Sequence, residues 1–290
     1  MADIVTGKNL SFAYSMNTSF SHTAVDHLNF SVHDGEILGI IGHTGSGKST
    51  LLQLLNGLLR PTAGMVCYQN RDIWENPKEI RKIRSEIGLV FQYPEYQLFE
   101  ETCEKDIAFA PTNMGVSPEE TRKIVRECIR FVDLDESVLS HSPFDLSGGQ
   151  KRRVAIAGVM AMQPKVLVLD EPTAGLDPAG KECIYQAILN YRREKNATII
   201  IVSHSMEDIA RYCDRVMVIN DSHIVKIGSV HEVFSDEEFL QSIGLNVPAV
   251  TAVLHTLQKY GIPVRDDCYT PSAAAKMIIE MLKGGEADVD

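Results

Sequence analysis

The sequence predicts an α/β fold in which a largely parallel sheet is covered by helices. An antiparallel sheet precedes that core, a helical segment is inserted within it, and a short helical tail follows. Three observations carry this prediction. Short, almost wholly apolar runs such as Ile37–Ile41, Val166–Leu169 and Thr198–Val202 have the composition of strands buried on both faces. These runs are separated by segments of helical periodicity, the alternation that builds parallel sheets. The first run leads directly into Gly42-His43-Thr44-Gly45-Ser46-Gly47-Lys48-Ser49-Thr50, a glycine-rich loop that opens the helix-like Leu51–Leu55.

That loop is a P-loop between a strand and a helix. Its glycines let the backbone bend so that successive N–H groups point inward at phosphate oxygens, and the new helix adds unpaired donors and its positive dipole end. Lys48 supplies a mobile positive charge for the β- and γ-phosphates of a nucleotide. Ser49 supplies a hydroxyl for magnesium, and Thr50 a second small polar group near the phosphates.

Composition narrows the partners. A chain of 290 residues can bury a full core, and a catalytic domain with an appended tail is expected. The formal net charge of -11 removes the overall attraction that nucleic-acid binding requires, so no nucleic-acid partner is expected. Six cysteines are scattered without metal-ligand spacing, as reduced core thiols would be. The opening Met1-Ala2-Asp3-Ile4 lacks the features of a signal peptide, and no apolar run approaches the roughly 20 residues that span a bilayer. A membrane would be served from its surface.

Along the chain, residues 4–41 read as short strands of an antiparallel sheet, with alternation in Leu10–Tyr14 and Leu28–Val32 and a turn at Asp34-Gly35. Tyr14 ends its strand beside a polar stretch, where its ring could stack on an adenine or pack into the core. After the P-loop helix come a turn at Arg60–Gly64, a strand at Met65–Tyr68, a charged helix at Ile80–Glu86 and a buried strand at Ile87–Phe91. Gln92 follows at the carboxyl edge of the sheet. Its amide can accept from water or bind magnesium through oxygen while donating through nitrogen, which makes it a candidate reader of the γ-phosphate.

From residue 93 the pattern turns helical, and a helical subdomain is expected over about 93–160. Ser117-Pro118-Glu119-Glu120 is a capping box, with Ile124, Cys128, Ile129 and Val132 on one face. The insertion leads to Leu146-Ser147-Gly148-Gly149-Gln150, where Ser147 caps a helix and two glycines expose backbone donors at its start. This is an ordinary capped helix or half an anion site, because it lacks both the lysine and the magnesium ligands of a P-loop.

The strand Val166–Leu169 ends in Asp170-Glu171. Two adjacent carboxylates at a buried strand end are costly unless a cation lies between protein and phosphate. Asp170 is assigned to the magnesium shell and Glu171 to polarising the attacking water; alone, the pair would read as a strand-end turn. Gly175-Leu176-Asp177 precedes an amphipathic helix, and Thr198–Val202 ends in Ser203-His204, whose imidazole could bond a γ-phosphate oxygen or serve structure. A hairpin at Val216–Ile227 closes the domain near residue 230. Residues 231–290 form a tail with a capping box at Ser235–Glu238, a helix opened by Pro248 that aligns Val250, Val253, Leu254 and Leu257, and a last helix from Thr270-Pro271. The acidic end from Gly284 is expected to fray. Packing or dimer contact is the expected role of these helices.

In this order, the P-loop, Gln92, Leu146–Gln150, Val166–Glu171, Gly175–Asp177 and His204 resemble the ABC-transporter ATPase cassette over about residues 4–230. The resemblance implies a RecA-like mixed sheet core, ATP with Mg2+, and two cassettes packed head to tail. Each ATP would lie between Lys48 of one and Ser147, Gly149 and Gln150 of the other. It further implies Tyr14 for adenine stacking, Glu171 as general base and Asp177 in contact across the dimer. Phe91-Gln92-Tyr93-Pro94-Glu95-Tyr96-Gln97-Leu98-Phe99-Glu100-Glu101-Thr102 and the short tail resemble the ATPases of energy-coupling factor (ECF) importers. More narrowly, they resemble the second of the two paired ATPases. Such importers take up vitamins or cobalt and nickel ions, combining two ATPases at the cytoplasmic face of the cell membrane with a transmembrane coupling protein and a substrate-binding membrane subunit. The stretch after Gln92 would grip the coupling protein, and a heterodimer is favoured over a homodimer. The alternatives are an ATPase of another ABC transporter class and a soluble ABC protein acting on DNA or ribosomes. Two departures, Ala110 and Ser222 where glycine is usual, put only local turn geometry in doubt.

Overall fold

The structure, a computed structural model, describes residues 2–15 and 20–284. The chain runs β1 (Asp3–Tyr14), β2 (His22–His33), β3 (Ile37–Ile41), α1 (Lys48–Leu55), β4 (Ala63–Tyr68), β5 (Arg71–Asp72), α2 (Ile80–Glu86) and β6 (Ile87–Val90). There follow α3 (Cys103–Asn113), α4 (Pro118–Phe131), α5 (Gly148–Met160), β7 (Val166–Asp170), α6 (Pro178–Lys195), β8 (Thr198–Val202) and α7 (Met206–Tyr212). The chain closes with β9 (Arg215–Asn220), β10 (His223–Ser229), α8 (Val230–Phe234), α9 (Glu237–Ser242), α10 (Ala249–Lys259) and α11 (Pro271–Gly284).

Two sheets organise these elements. The amino-terminal one is four-stranded and antiparallel, in the order β2-β1-β4-β5. The larger has six strands in the order β10-β9-β3-β8-β7-β6, parallel throughout except for the edge strand β10. All five residues of β3, β7 and β8 are buried, as their apolar runs predict for strands covered on both faces, and burial extends to the polar Asp170 at the end of β7 and Thr198 at the start of β8. One face meets the antiparallel sheet and α1 through Leu38, Val168, Ile200, Leu51 and Val32. The other carries α3 to α6 through Leu167, Ile199, Ile156 and Ile188.

The inserted helices start where their caps predict. Ser117 accepts from the Glu120 N–H, and Pro118 occupies the first turn of α4. The residue that replaces glycine in the Asp106-Ile107-Ala108-Phe109 run, Ala110, lies inside α3, where no positive φ is required. Ser222 does occupy the left-handed region, at φ 68°, and its hydroxyl donates to the Thr23 carbonyl at 2.9 Å. That bond to β2 offsets the backbone cost of a side chain in this conformation.

The tail differs from expectation in three places. Asp236 rather than Ser235 caps α9, its carboxylate accepting from the Phe239 N–H, because the chain around Ser235 still closes α8. α8 itself was not expected; it is started by a reciprocal capping box between Ser229 and Glu232. On α10, Leu254 is buried but Val253 is 57% exposed, and Thr251 and His255 take the inner positions instead. The acidic end expected to fray lies, from residue 285, outside the described residues. Among the described residues all six cysteines are free thiols, and no helix is long and apolar enough to cross a membrane.

Candidate nucleotide-binding cleft

The parallel strands deliver their carboxyl ends to one edge, and the order of the strands decides what meets there. β3 runs into the P-loop, β8 into Ser203-His204, β7 into Asp170-Glu171 and β6 toward Gln92. In register, Val202 lies beside Ile40 and Asp170, and Leu169 beside Val90. Neighbouring strands are about 4.8 Å apart, so four polar groups distant in sequence fall along one short line.

Lys48, Gln92, Glu171 and His204 line a cleft of about 350 Å³ together with Tyr14, Thr44, Gly45, Gly47, Ser49 and Thr50, and Asp170 lies behind it, hydrogen-bonded to Ser49. The floor of the cleft is the loop. Gly47 caps α1 at φ 102°, and a Cβ there would stand 2.0 Å from the Ala24 carbonyl oxygen, so only glycine lets the loop lie against β2. Lys48 is buried, and its ammonium donates to the carbonyls of Gly42 and His43 at 2.7 and 2.6 Å. Burial lowers its pKa, while the charges of Glu171 and Asp170 oppose that effect. Asp170 is likewise buried, which raises its carboxyl; a hydrogen bond with Ser49 and the charges of Lys48 and His204 oppose the rise.

Glu171 adopts the left-handed conformation at φ 48°, with its N–H donating to the Val202 carbonyl at 3.0 Å. That turn directs its carboxylate to His204, whose Nε2 lies 2.7 Å from Glu171 Oε1. The Tyr14 hydroxyl and Thr50 Oγ1 are 3.2 Å apart, and Phe12 meets the Tyr14 ring edge-on at 4.8 Å, leaving the tyrosine at the cleft with 40% of its surface exposed.

Not every residue singled out in the sequence comes here. The His43 ring turns away, with Nε2 2.5 Å from the Ile243 carbonyl oxygen, so only its backbone stays with the cradle. Ser46 is buried with a hydroxyl that has no partner among the described residues. Ser147, Gly149, Gln150 and Asp177 lie outside the cleft. Ser147 caps α5 in a reciprocal box with Gln150, and Asp177 caps α6 by accepting from Gly180 N–H at 2.7 Å. A Cβ on Gly148 or Gly149 would meet nothing within 4 Å, so that helix start is open. His22 and Ala24 of β2 also line the cleft. No pattern in the sequence marks them, because a strand from the other sheet brings them in.

A P-loop whose lysine shares one cleft with a strand-end glutamate and histidine, on a sheet with a helical insertion, defines an ATP-binding cassette. The family model for the ABC transporter matches residues 25–174. The chain is 50% identical over 277 residues to the energy-coupling factor transporter ATP-binding protein EcfA2 of Caldanaerobacter subterraneus subsp. tengcongensis, covering 96% of this chain and 97% of that one. It is 49% identical over 280 residues to EcfA2 of Clostridium acetobutylicum, covering 96% and 98%. Among solved structures, cbiO1 of Clostridium perfringens, described as part of the ABC transporter complex cbiONQ, superposes with a TM-score of 0.75 at 36% identity, covering 88% of this chain and 100% of that one. The cassette MJ0796, solved as a dimer bound to ADP and Pi, superposes with a TM-score of 0.69 at 31% identity, covering 78% and 98%. The chain belongs to the family of energy-coupling factor transporter ATP-binding proteins. It is the ATP-hydrolysing subunit of an ABC importer and works in a complex with other subunits.

Proposed function

We propose that this ATPase powers uptake of a micronutrient, a vitamin or a cobalt or nickel ion, from the cytoplasmic face of the cell membrane, as one of two paired cassettes. The convergence of Lys48, Gln92, Glu171 and His204 on one cleft, with Asp170 hydrogen-bonded to Ser49 behind it and with the exposed Ser147 and the open backbone of Gly149 elsewhere, is the observation that carries the reading. One chain then holds two different halves of a site, and a second cassette is needed to complete each.

In this reading the loop from Gly42 to Thr50 cradles the phosphates, Lys48 meets the β- and γ-phosphates, and Tyr14 stacks on the adenine. Glu171 accepts a proton from the attacking water while His204 bonds a γ-phosphate oxygen. Ser147, Gly149 and Gln150 bind the γ-phosphate of the ATP held by the partner cassette, and Asp177 touches that cassette across the interface. The donor set at Ser49, Gln92 and Asp170 suits Mg2+, a hard cation that takes few protein oxygens when phosphates supply the rest. The buried Asp170 carboxyl hydrogen-bonded to Ser49 supports that fit, because a cation would relieve its desolvation. Bound there, Mg2+ would neutralise phosphate charge.

Residues 1–230 form the ATP-binding domain in this scheme, with 93–160 as its helical subdomain and 231–290 as an extension. The exposed Phe99 and Phe109 line an apolar groove with Leu98 and Val159, which suits helices of a transmembrane coupling protein; a separate membrane subunit binds the solute. Light scattering on Glu171→Gln tests the pairing, because this variant is expected to bind ATP but barely turn it over. A heterodimer predicts that the variant keeps its 32.2 kDa mass with ATP and Mg2+ and gains mass only when a second ATPase is added. Doubling of the mass by itself would make the working unit a homodimer. Near-normal turnover in Glu171→Gln or Lys48→Ala would overturn the site assignment.

A further inference from the structure

Arg152 sits near the start of α5, on the face that continues through the fully buried Ile156 and Met160. A guanidinium thus stands where an apolar side chain would be expected, with only 4% of the side chain exposed. Burying that charge is costly unless every donor finds a partner.

Its partners come from two directions. Nε and Nη2 donate to the two carboxylate oxygens of Glu95 at 2.9 and 2.6 Å, a two-pronged pairing. Nη1 points the other way, donating to the Ala174 carbonyl at 2.5 Å with the Pro172 carbonyl at 3.5 Å. The guanidinium carbon also stands 5.5 Å from the centre of the Tyr93 ring. Burial would raise the Glu95 carboxyl, but the Arg152 hydrogen bonds, a bond from its own backbone N–H and the Arg152 charge outweigh burial and hold it below the ordinary range.

Three segments therefore meet on one group. Glu95 belongs to the 3-10 turn Pro94–Gln97, which follows Gln92 and reaches the apolar groove at Gln97. Pro172 and Ala174 lie in the loop between Glu171 and Asp177. Helix α5 begins at the exposed Ser147 cap. The step from arginine to Glu171 is short, because the Ala174 N–H donates to the Glu171 carbonyl at 3.2 Å.

We infer that Arg152 is a positioning residue that couples the groove turn at Glu95 to the loop carrying Glu171. A buried ion pair of this kind cannot be half-broken cheaply: drawing Glu95 away would leave a cation against two carbonyls. Turn, arginine and loop move together or stay together, so a helix seated in the groove biases the placement of Glu171. The inference rests on the assignment of Glu171 as general base made above.

Two variants, measured in the full chain co-purified with its transporter subunits, test it. Arg152→Lys keeps the charge but cannot reach Glu95 and both carbonyls with one planar fork. It should lower kcat for ATP at least tenfold while KM for ATP stays within twofold, since the Lys48 cleft is untouched. The swap Glu95→Arg with Arg152→Glu restores an ion pair but leaves position 152 without a donor for Pro172 and Ala174; kcat should stay low. Restored turnover in the swap, or a kcat for Arg152→Lys within twofold of wild type, would reduce Arg152 to a structural pair and overturn the inference. Where Arg152→Lys fails to fold, Glu95→Gln takes its place, with faster amide exchange expected at Glu171 and Ala174 and unchanged exchange overturning the idea. Glu171→Gln, assayed alongside, separates the two failures: if it turns over normally the site assignment falls, and if it is inactive while Arg152→Lys is normal, only the role of Arg152 falls.

Discussion

Asp170 lies buried behind the cleft with its carboxyl raised by burial, against the opposing hydrogen bond with Ser49 and the charges of Lys48 and His204. A carboxyl raised in the folded state holds its proton more tightly than in the unfolded chain. Its contribution to stability is therefore unfavourable at neutral pH, and the penalty disappears as pH falls toward the ordinary value of 3.8. Asp170→Asn should melt at a higher temperature than wild type at pH 7 without nucleotide, and the gap should close as pH is lowered. Paired heat scans across pH check this; equal midpoints at pH 7 would contradict it. The same variant should hydrolyse ATP on the order of 100-fold more slowly. Asp170 and Glu171 were legible in the sequence as a carboxylate pair at a strand end. The left-handed turn that aims Glu171 at His204 was not, since nothing local in Asp170-Glu171-Pro172 specifies it.

Two helix starts show how the same residue type serves opposite needs. Gly47 is locked in place by φ 102° and by the Ala24 carbonyl, whereas Gly148 at the start of α5 faces open space. Gly47→Ala should lower stability by at least about 1–3 kcal/mol and abolish ATP binding, read by urea unfolding and by nucleotide titration. Gly148→Ala should leave the urea midpoint unchanged or slightly raised, because alanine favours a helix over glycine. Its ATPase rate should nonetheless fall in the assembled transporter, where the added methyl group would enter the space assigned to the partner's nucleotide. An unchanged rate would count against the half-site at Ser147. The strands were legible element by element because burial on both faces leaves an unbroken apolar run. The tail caps were less so: Ser235 and Asp236 are both good caps, and the choice depended on where α8 ends.

At the scale of the molecule, the tail is joined to the cassette core. Phe234, Leu240 and Leu245 share one apolar cluster with Ile41, Val216 and Val218, and Ile41 immediately precedes the P-loop. The contact between His43 and the Ile243 carbonyl lies at the same junction. Phe234→Ala should cost roughly 3–5 kcal/mol in denaturant unfolding. It should also weaken ATP binding, measured by titration, because the cavity opens beneath the strand that positions Gly42 to Thr50. Full affinity in a destabilised variant would show that the tail supports the core without reaching the loop.

The sequence by itself determined the glycine-rich loop before α1 and the buried strands, because each rests on residues contiguous in the chain, and the family, because its motifs follow one another in a set order. Glycines, lysine and hydroxyls must be adjacent to wrap a phosphate, and a buried strand must be apolar over its own length. Only the tertiary structure decided that His22 and Ala24 of β2 enter the cleft, that Arg152 joins Glu95 to the Ala174 loop, and that His43 turns toward the tail. Those contacts follow from strand order and register, which depend on long-range packing among segments up to 200 residues apart.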